Sequence, residues 1–394
     1  MFSQLPTPQT DSILSLSTLY RADNRQDKVD LGIGVYRNNQ GQTPIMQAVK
    51  TAQMQLAEEQ QTKVYVGLAG CEEFNQCMVD LVLGESPVLD RVSAIQTPGG
   101  SGALRMLGDL MNVAQPGTTI WLSNPSYVNH KPVMEAAGLN VKYYSYFSPT
   151  TKQVDVDKML RDLATAGSKD VVLVHGCCHN PTGADIDFNA WQAITALAQK
   201  NGFTPFVDIA YQGFGDGLIE DALGVRYMAE NVEEMLISAS CSKNFGLYRE
   251  RTGAAMVMAK NNTEANNAKG KLLQLARSTY TMPPDHGAAI VRTILTNDQL
   301  TKIWKQELIE MQQRMQRIRT SLCTELRTTL KSNHFDFIQA HKGMFTLIGF
   351  SAEQMIRLRE EYAIYGVEDG RINIAGLAEQ QIPYVANAIA NITE

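Results

Sequence analysis

Residues 171–214 read VVLVHGCCHNPTGADIDFNAWQAITALAQKNGFTPFVDIAYQGF. A short apolar run ends at His175 in an elbow marked by Pro181 and Gly183. A helical period then spans Asn189 to Asn201, and a second apolar run, Thr204 to Asp208, closes on a carboxylate. Two such runs joined by a helix read as buried parallel strands with a crossover connection. The alternation continues in both directions. Strand-like runs at Val92–Gln96, Thr119–Leu122 and Val141–Tyr146 precede it, and Met235–Ala239 and Ala254–Met258 follow it. The pattern predicts an α/β fold whose mostly parallel sheet is covered by helices on both faces.

Toward the C-terminus the period changes. From Asp298 to Ser332 the apolar residues Leu300, Ile303, Trp304, Leu308, Met311, Met315, Ile318, Leu322, Leu326 and Leu330 recur at steps of three or four, which predicts one long amphipathic helix. A strand-like Gly343–Phe350, a helix near Ala352–Tyr362 and a strand near Arg371–Ala375 follow, and suggest a smaller α+β unit. The expected division is 1–42 and 311–394 for the smaller domain and 43–310 for the larger. One biased polar stretch, AKNNTEANNAKGK at residues 259–271, reads as a surface loop.

Composition narrows the function. The chain has 394 residues, 44% of them apolar, enough for a sizeable core. Basic minus acidic residues leaves a net charge of −6, a field that repels nucleic acid and anionic membranes. The N-terminal thirty residues lack a basic region followed by an apolar stretch, so a cytoplasmic location is expected. Six cysteines without a C-x-x-C pair agree with reduced thiols, and no metal site is expected.

Ligands of open α/β sheets collect beyond the carboxyl ends of the strands, and there the chemistry concentrates. QTPGGSGALRML, residues 96–107, follows a strand and opens a helix, so amides near Gly100 and Ser101 can cradle a phosphate. It lacks the G-x-G-x-x-G fingerprint of a dinucleotide site. Asn180 lies in the elbow, Asp208 ends a strand with Tyr211 three residues on, and Lys243 stands just past another apolar strand with Arg251 eight residues further. Any one of these has an ordinary structural explanation: a turn, a cap or a surface lysine. Together at successive strand ends they point to an anion nest, a carboxylate for a cationic ligand, and an amine suited to Schiff-base chemistry.

The motifs TPGGSGALR, SNPSYVNH, HGCCHNPTG, DIAYQGF, SASCSKNFGLYRER, STYTMPPDHG and GRINIAG resemble those of class I aminotransferases, in the aspartate and aromatic amino-acid subgroup. The resemblance implies pyridoxal 5′-phosphate as cofactor, fold type I, and a homodimer with shared active sites. It makes Lys243 the Schiff-base lysine and proton shuttle. Asp208 becomes the partner of the ring nitrogen, backed by His130, and Asn180 and Tyr211 the partners of the ring's phenolic oxygen. Gly100, Ser101, Ser240 and Arg251 become phosphate binders, joined by Tyr65 of the neighbouring subunit. A buried carboxylate under a pyridine ring keeps it protonated and able to accept carbanion electrons.

By the same resemblance Arg371 grips the substrate α-carboxylate, helped by the backbone at Gly34, while Arg277 of the partner grips a distal carboxylate. A planar guanidinium suits both tasks because it pairs two oxygens at once. Tyr127 stands where aspartate enzymes carry a tryptophan over the ring, Met282 replaces an asparagine, Val64 replaces a polar residue beside Tyr65, and Ser101 replaces a threonine. Fewer polar groups favour an apolar side chain. The expectation is a ping-pong aromatic amino-acid aminotransferase that uses 2-oxoglutarate and still accepts aspartate and glutamate, with aspartate aminotransferase as the alternative. Two other classes fit less well: a DNA-binding regulator would need a basic extension, and a nicotinamide dehydrogenase the missing glycine fingerprint.

Overall fold

A computed structural model describes residues 2–5 and 12–393. The chain divides into two compact units, one made of residues 44–314 and the other of residues 1–43 with 315–394.

The larger unit is built on a seven-stranded sheet: β1 (Val92–Pro98), β2 (Thr119–Asn124), β3 (Asn140–Ser145), β4 (Asp170–His175), β5 (Thr204–Ile209), β6 (Met235–Ser240) and β7 (Thr252–Met258), in spatial order 1-7-6-5-4-2-3. All neighbours run parallel except β7, which is antiparallel to both β1 and β6. Every strand expected from the apolar runs is present, most with a residue or two more. All six residues of β6 and all seven of β7 are buried, as strands covered on both faces must be. The helix Gly99–Ala114 lays Ala103, Leu104, Leu107, Leu110 and Met111 into the same core as Ile95, Ile120, Leu173 and Phe206.

The register carries the functional consequence. His175, Asp208 and Ser238 are paired across β4, β5 and β6, so three polar side chains share one rung at the carboxyl end of an otherwise apolar sheet.

The stretch 259–271 corrects the expectation of a loop, because it opens the helix Asn262–Thr279. Asn261 caps that helix by accepting from the Glu264 amide, and Ala265, Leu272 and Ala276 bury one face. Four asparagines and a glycine hide a helix whose stability comes from packing rather than propensity.

The smaller unit contains two short strand pairs. Val29–Asp30 pairs in parallel with Ile364–Tyr365, and Phe345–Leu347 pairs antiparallel with Arg371–Asn373. The expected strand at 343–350 is thus only three residues long, and after Asn373 the chain turns into a 3-10 helix, Ile374–Gly376. The long helix is observed as Asp298–Leu330, with most of the predicted stripe buried and Ile303 37% exposed. Its later part, from Ile318 to Leu326, joins Phe335, Ile338, Met355, Leu358 and Ile389 in the smaller unit's core. Among the described residues no helix is long and apolar enough to cross a membrane.

Removing the cap at the misread helix should be measurable. Asn261→Ala is expected to cost about 1 kcal/mol of helix stability. It should speed hydrogen exchange in the first turns of Asn262–Thr279, and unchanged protection there would mean that the cap bond contributes nothing.

Candidate active site

Beyond the carboxyl ends of β1, β4, β5 and β6 lies a cavity of about 200 Å³. Gly100, Ser101, Tyr127, Asn180, Asp208, Tyr211, Ser240, Lys243 and Arg251 line it, joined by His175, Cys177, Ser242 and Tyr248. Nine residues named from sequence therefore converge on one place. His130 stands one layer behind, in contact with Asp208. Tyr65 and Arg277 are exposed and absent from this lining. Gly34 and Arg371 belong to the smaller unit and are described with it below.

Asp208 sits at the bottom of the cavity, with 12% of its side chain open. One oxygen accepts from Ser238 Oγ at 2.7 Å, and the other is 3.0 Å from His130 Nε2. Burial pushes the carboxyl up, but the hydrogen bonds from His130 and Ser238 outweigh it and hold it below the ordinary carboxylate range. A side chain of this kind is anionic at neutral pH and directed at a cationic partner.

Its orientation is fixed by a directional chain. The Asn180 amide donates to His175 Nδ1 at 3.2 Å, which leaves the His175 proton on Nε2, facing Ser126 Oγ at 3.4 Å. The Ser126 hydroxyl then donates to His130 Nδ1 at 2.9 Å, and His130 keeps its proton on Nε2 for Asp208. Burial, and then the neighbouring His130, pull His175 down to about 3. His175 also stacks on His179 at 4.1 Å, and His179 on Tyr146 at 4.0 Å. Ser126, His175 and Ser238 were missed in the sequence. The signal for Ser238 was available, since two residues before Ser240 on a strand means the same face.

The anion end is made by close approach. Gly99 has φ +72°, and a Cβ there would lie 2.6 Å from Arg251 Nη2. A Cβ on Gly253 would lie 2.6 Å from both the Ala239 carbonyl and the Gly99 backbone. Arg251, itself at φ +52°, donates to Ser242 Oγ at 3.3 Å and to the Tyr248 carbonyl at 3.1 Å. Helix-start amides at Gly100 and Ser101, the Ser240 hydroxyl and a guanidinium thus surround one end of the cavity. That donor set matches a phosphate dianion.

Between the two ends, Asn180 Nδ2 lies 3.5 Å from Tyr211 Oη. Lys243 Nζ is 5.2 Å from the Tyr211 ring and 6.0 Å from that of Tyr248. A phosphate seat, an amine, an amide–phenol pair and a buried carboxylate around one cavity fit a phosphorylated pyridine aldehyde.

Comparison with known proteins agrees with the chemistry. The family described as aminotransferase class I and II matches residues 26–389. The aromatic-amino-acid aminotransferase of Paracoccus denitrificans is 45% identical over 392 residues, covering 100% of both chains. The aspartate aminotransferase of Escherichia coli (strain K12) is 42% identical over 395 residues, again covering 100% of each. The crystal structure of an aromatic-amino-acid aminotransferase from Burkholderia pseudomallei covalently bound to pyridoxal phosphate is 36% identical, covers 100% of both chains and superposes with a TM-score of 0.97. The fold and the cavity define a pyridoxal-phosphate enzyme, and the chain belongs to the class I and II aminotransferases. Within that family it is a member of the aspartate and aromatic amino-acid aminotransferases, acting on amino acids and keto acids.

The depressed His175 gives a pH dependence of stability. Between an ordinary value near 6.5 and about 3, the unfolded chain takes up a proton that the folded chain refuses. Stability therefore falls as pH drops through that window. Urea midpoints at pH 7 and pH 5 should separate in the native protein. The gap should narrow in His175→Gln, and an equal gap in both proteins would contradict the assignment.

Proposed function

We propose that the chain transfers the amino group of phenylalanine, tyrosine or tryptophan to 2-oxoglutarate, and accepts aspartate and glutamate as well. The observation carrying the aromatic preference is an apolar surface around Tyr65. The Val66 amide lies 3.3 Å from Met282 Sδ, which places Met282 against the stretch that carries Val64 and Tyr65, themselves 75% and 84% exposed. Valine and methionine here offer no hydrogen bond to a dicarboxylate, and an apolar side chain leaves no polar group unpaired. Tyr127 lining the cavity supports the same reading. The near-equal identities to an aromatic and to an aspartate enzyme keep aspartate transamination as the second reading.

In this reading Gly100, Ser101, Ser240 and Arg251 hold the cofactor phosphate, Asp208 holds the ring nitrogen, and Asn180 and Tyr211 hold the phenolic oxygen. When bound, pyridoxal phosphate supplies the electron sink for a carbanion. Lys243 Nζ anchors the cofactor and, once displaced, takes the proton from substrate Cα. Tyr211 and Asn180 set the electrostatics beside that amine, while the His175–Ser126–His130 chain keeps Asp208 oriented to pair with the ring nitrogen. Arg371 pairs the α-carboxylate, and 2-oxoglutarate reverses the sequence in a ping-pong cycle. The exposure of Tyr65 and Arg277, away from their own chain's cavity, supports a homodimer in which each serves the partner's site. The larger domain is taken to span 43–310 and the smaller 1–42 with 311–394.

The test is kcat/KM for phenylalanine, tyrosine and aspartate with 2-oxoglutarate as common acceptor. Aspartate leading by more than about tenfold, a difference of about 1.4 kcal/mol, would reverse the preference. Loss of a fork that pairs a desolvated carboxylate costs roughly 2–5 kcal/mol, so Arg371→Ala is expected to lower kcat/KM by about 30- to 5,000-fold. Unchanged kinetics in that variant would remove Arg371 from the site. Mixing inactive Lys243→Ala with inactive Arg277→Ala chains should restore activity toward aspartate if the sites are shared, and no restoration would speak for self-contained sites.

A further inference from the structure

We infer that Asp30 is a positioning residue for the substrate α-carboxylate, acting by deciding which backbone amide of the loop 31–37 stays available. The inference rests on the reading of Arg371 and Gly34 given above, and all of its observations lie within the smaller unit.

Asp30 is 5% exposed and ends the short strand Val29–Asp30. Its Oδ1 accepts from the amides of Gly32 at 3.0 Å and Ile33 at 3.3 Å, and its Oδ2 pairs with Arg37 Nη2 at 2.6 Å. One carboxylate therefore closes both ends of the loop onto itself. The loop's carbonyls are fixed from the other side: Arg371 Nη2 donates to Gly32 O at 2.9 Å, and Asn373 Nδ2 donates to Ile33 O at 2.6 Å and Val35 O at 2.8 Å.

Three further amides of the loop have backbone acceptors. Leu31 donates to Tyr365 O, Val35 to Ile33 O and Arg37 to Ala375 O. Gly34 is the exception between residues 31 and 35: among the described residues its N–H has no protein acceptor. Its location is also defined. A Cβ on Gly34 would lie 2.9 Å from Phe345 Cζ, and the Arg371 guanidinium stands 4.5 Å from the centre of the same ring. The free amide and the guanidinium are thus neighbours of one aromatic plane, and both suit one carboxylate.

Without the Asp30 charge, two loop amides lose their strong acceptor and Arg37 loses its counter-ion. The loop then keeps its anchors from Arg371 and Asn373 but loses the contacts that fix the amides on either side of its turn, and Gly34 is held less firmly beside Phe345. Asp30 touches neither substrate nor cofactor in this account, so its loss should show as weaker carboxylate recognition rather than lost chemistry.

The test compares Asp30→Asn with the parent holoenzyme on two probes with the same ring, phenylalanine and 2-phenylethylamine, which lacks the carboxylate. Single-turnover absorbance changes of the cofactor give kcat/KM for each. Asp30→Asn is expected to lower the phenylalanine value by about tenfold or more, the size of one charge-assisted hydrogen bond, chiefly through KM. The phenylethylamine value and the cofactor spectrum should stay the same. An equal fall for both probes, or no fall for either, overturns the inference. Arg371→Lys is run alongside: if it spares phenylalanine, the carboxylate reading itself is wrong. If it penalises phenylalanine selectively and Asp30→Asn does not, Asp30 alone is misassigned. Should Asp30→Asn fail to fold, Arg37→Gln removes the same ion pair from its more exposed end. The same selective loss then supports the inference, and an equal or absent effect overturns it.

Discussion

An ionised carboxylate at the closed end of an apolar sheet is the constraint around which this protein is organised. Placing the Asp208 charge there costs several kcal/mol in lost hydration, a cost that only well-aimed donors can offset. The donors come from the fold rather than from chance neighbours. Parallel register puts His175, Asp208 and Ser238 on a single rung, and the Ser238 hydroxyl reaches Asp208 at 2.7 Å from the adjacent strand. The remaining donor, His130, arrives from the helix that follows β2, with its tautomer set by Ser126 and, beyond it, by a backbone amide. A backbone N–H cannot change its role, so the direction of the whole chain is fixed once the elbow at Asn180 has formed.

The opposite end of the cavity solves the inverse problem, a concentration of positive potential without a buried anion of its own. Gly99 and Gly253 leave so little room that the Arg251 guanidinium lies against the helix start, and the backbone at Gly253 against that of Gly99 and Gly100. Small residues do more here than relieve strain. They let amides, hydroxyls and a guanidinium crowd one small volume, which is what a doubly charged group needs. Carboxylate and anion seat line the same cavity, and Lys243 lines it with them.

Much of this was readable before any coordinates. Buried parallel strands announce themselves as short apolar runs, and the residues at or just past their ends gave Asn180, Asp208, Tyr211 and Lys243, while the family resemblance added Ser240; all of them line the cavity. The failures share a physical cause. The helix Asn262–Thr279 hid because three buried residues spaced along one face were enough to hold a sequence whose propensities oppose it. Ser126 and His175 hid because their role is to touch each other and His130, and a sequence does not display which polar groups meet; Ser238 alone left a trace, two residues before Ser240 on the same strand face. Asp30 was invisible for a similar reason: its partners Gly32, Ile33 and Arg37 are close in sequence, yet nothing in their spacing says that a carboxylate will spend itself on two consecutive amides.

In the proposed reading, substrate choice and substrate anchoring follow different physical rules, and different kinds of structure serve them. The α-carboxylate is common to every amino and keto acid, so its recognition can be rigid. The loop at 31–37 is accordingly tied by an ion pair, two side-chain donors and a stacked ring. The distal group varies between an aromatic ring and a second carboxylate, and a rigid donor set for one would penalise the other. Val64 and Tyr65 are exposed on the single chain, and half-buried Met282 lies against the neighbouring Val66 amide. A flexible thioether and aliphatic groups can accept a ring without orphaning a polar atom, while the role proposed for Arg277 is to meet a carboxylate. Broad specificity then requires only that the polar partner be able to turn away, which an exposed guanidinium on a long stem does at small cost.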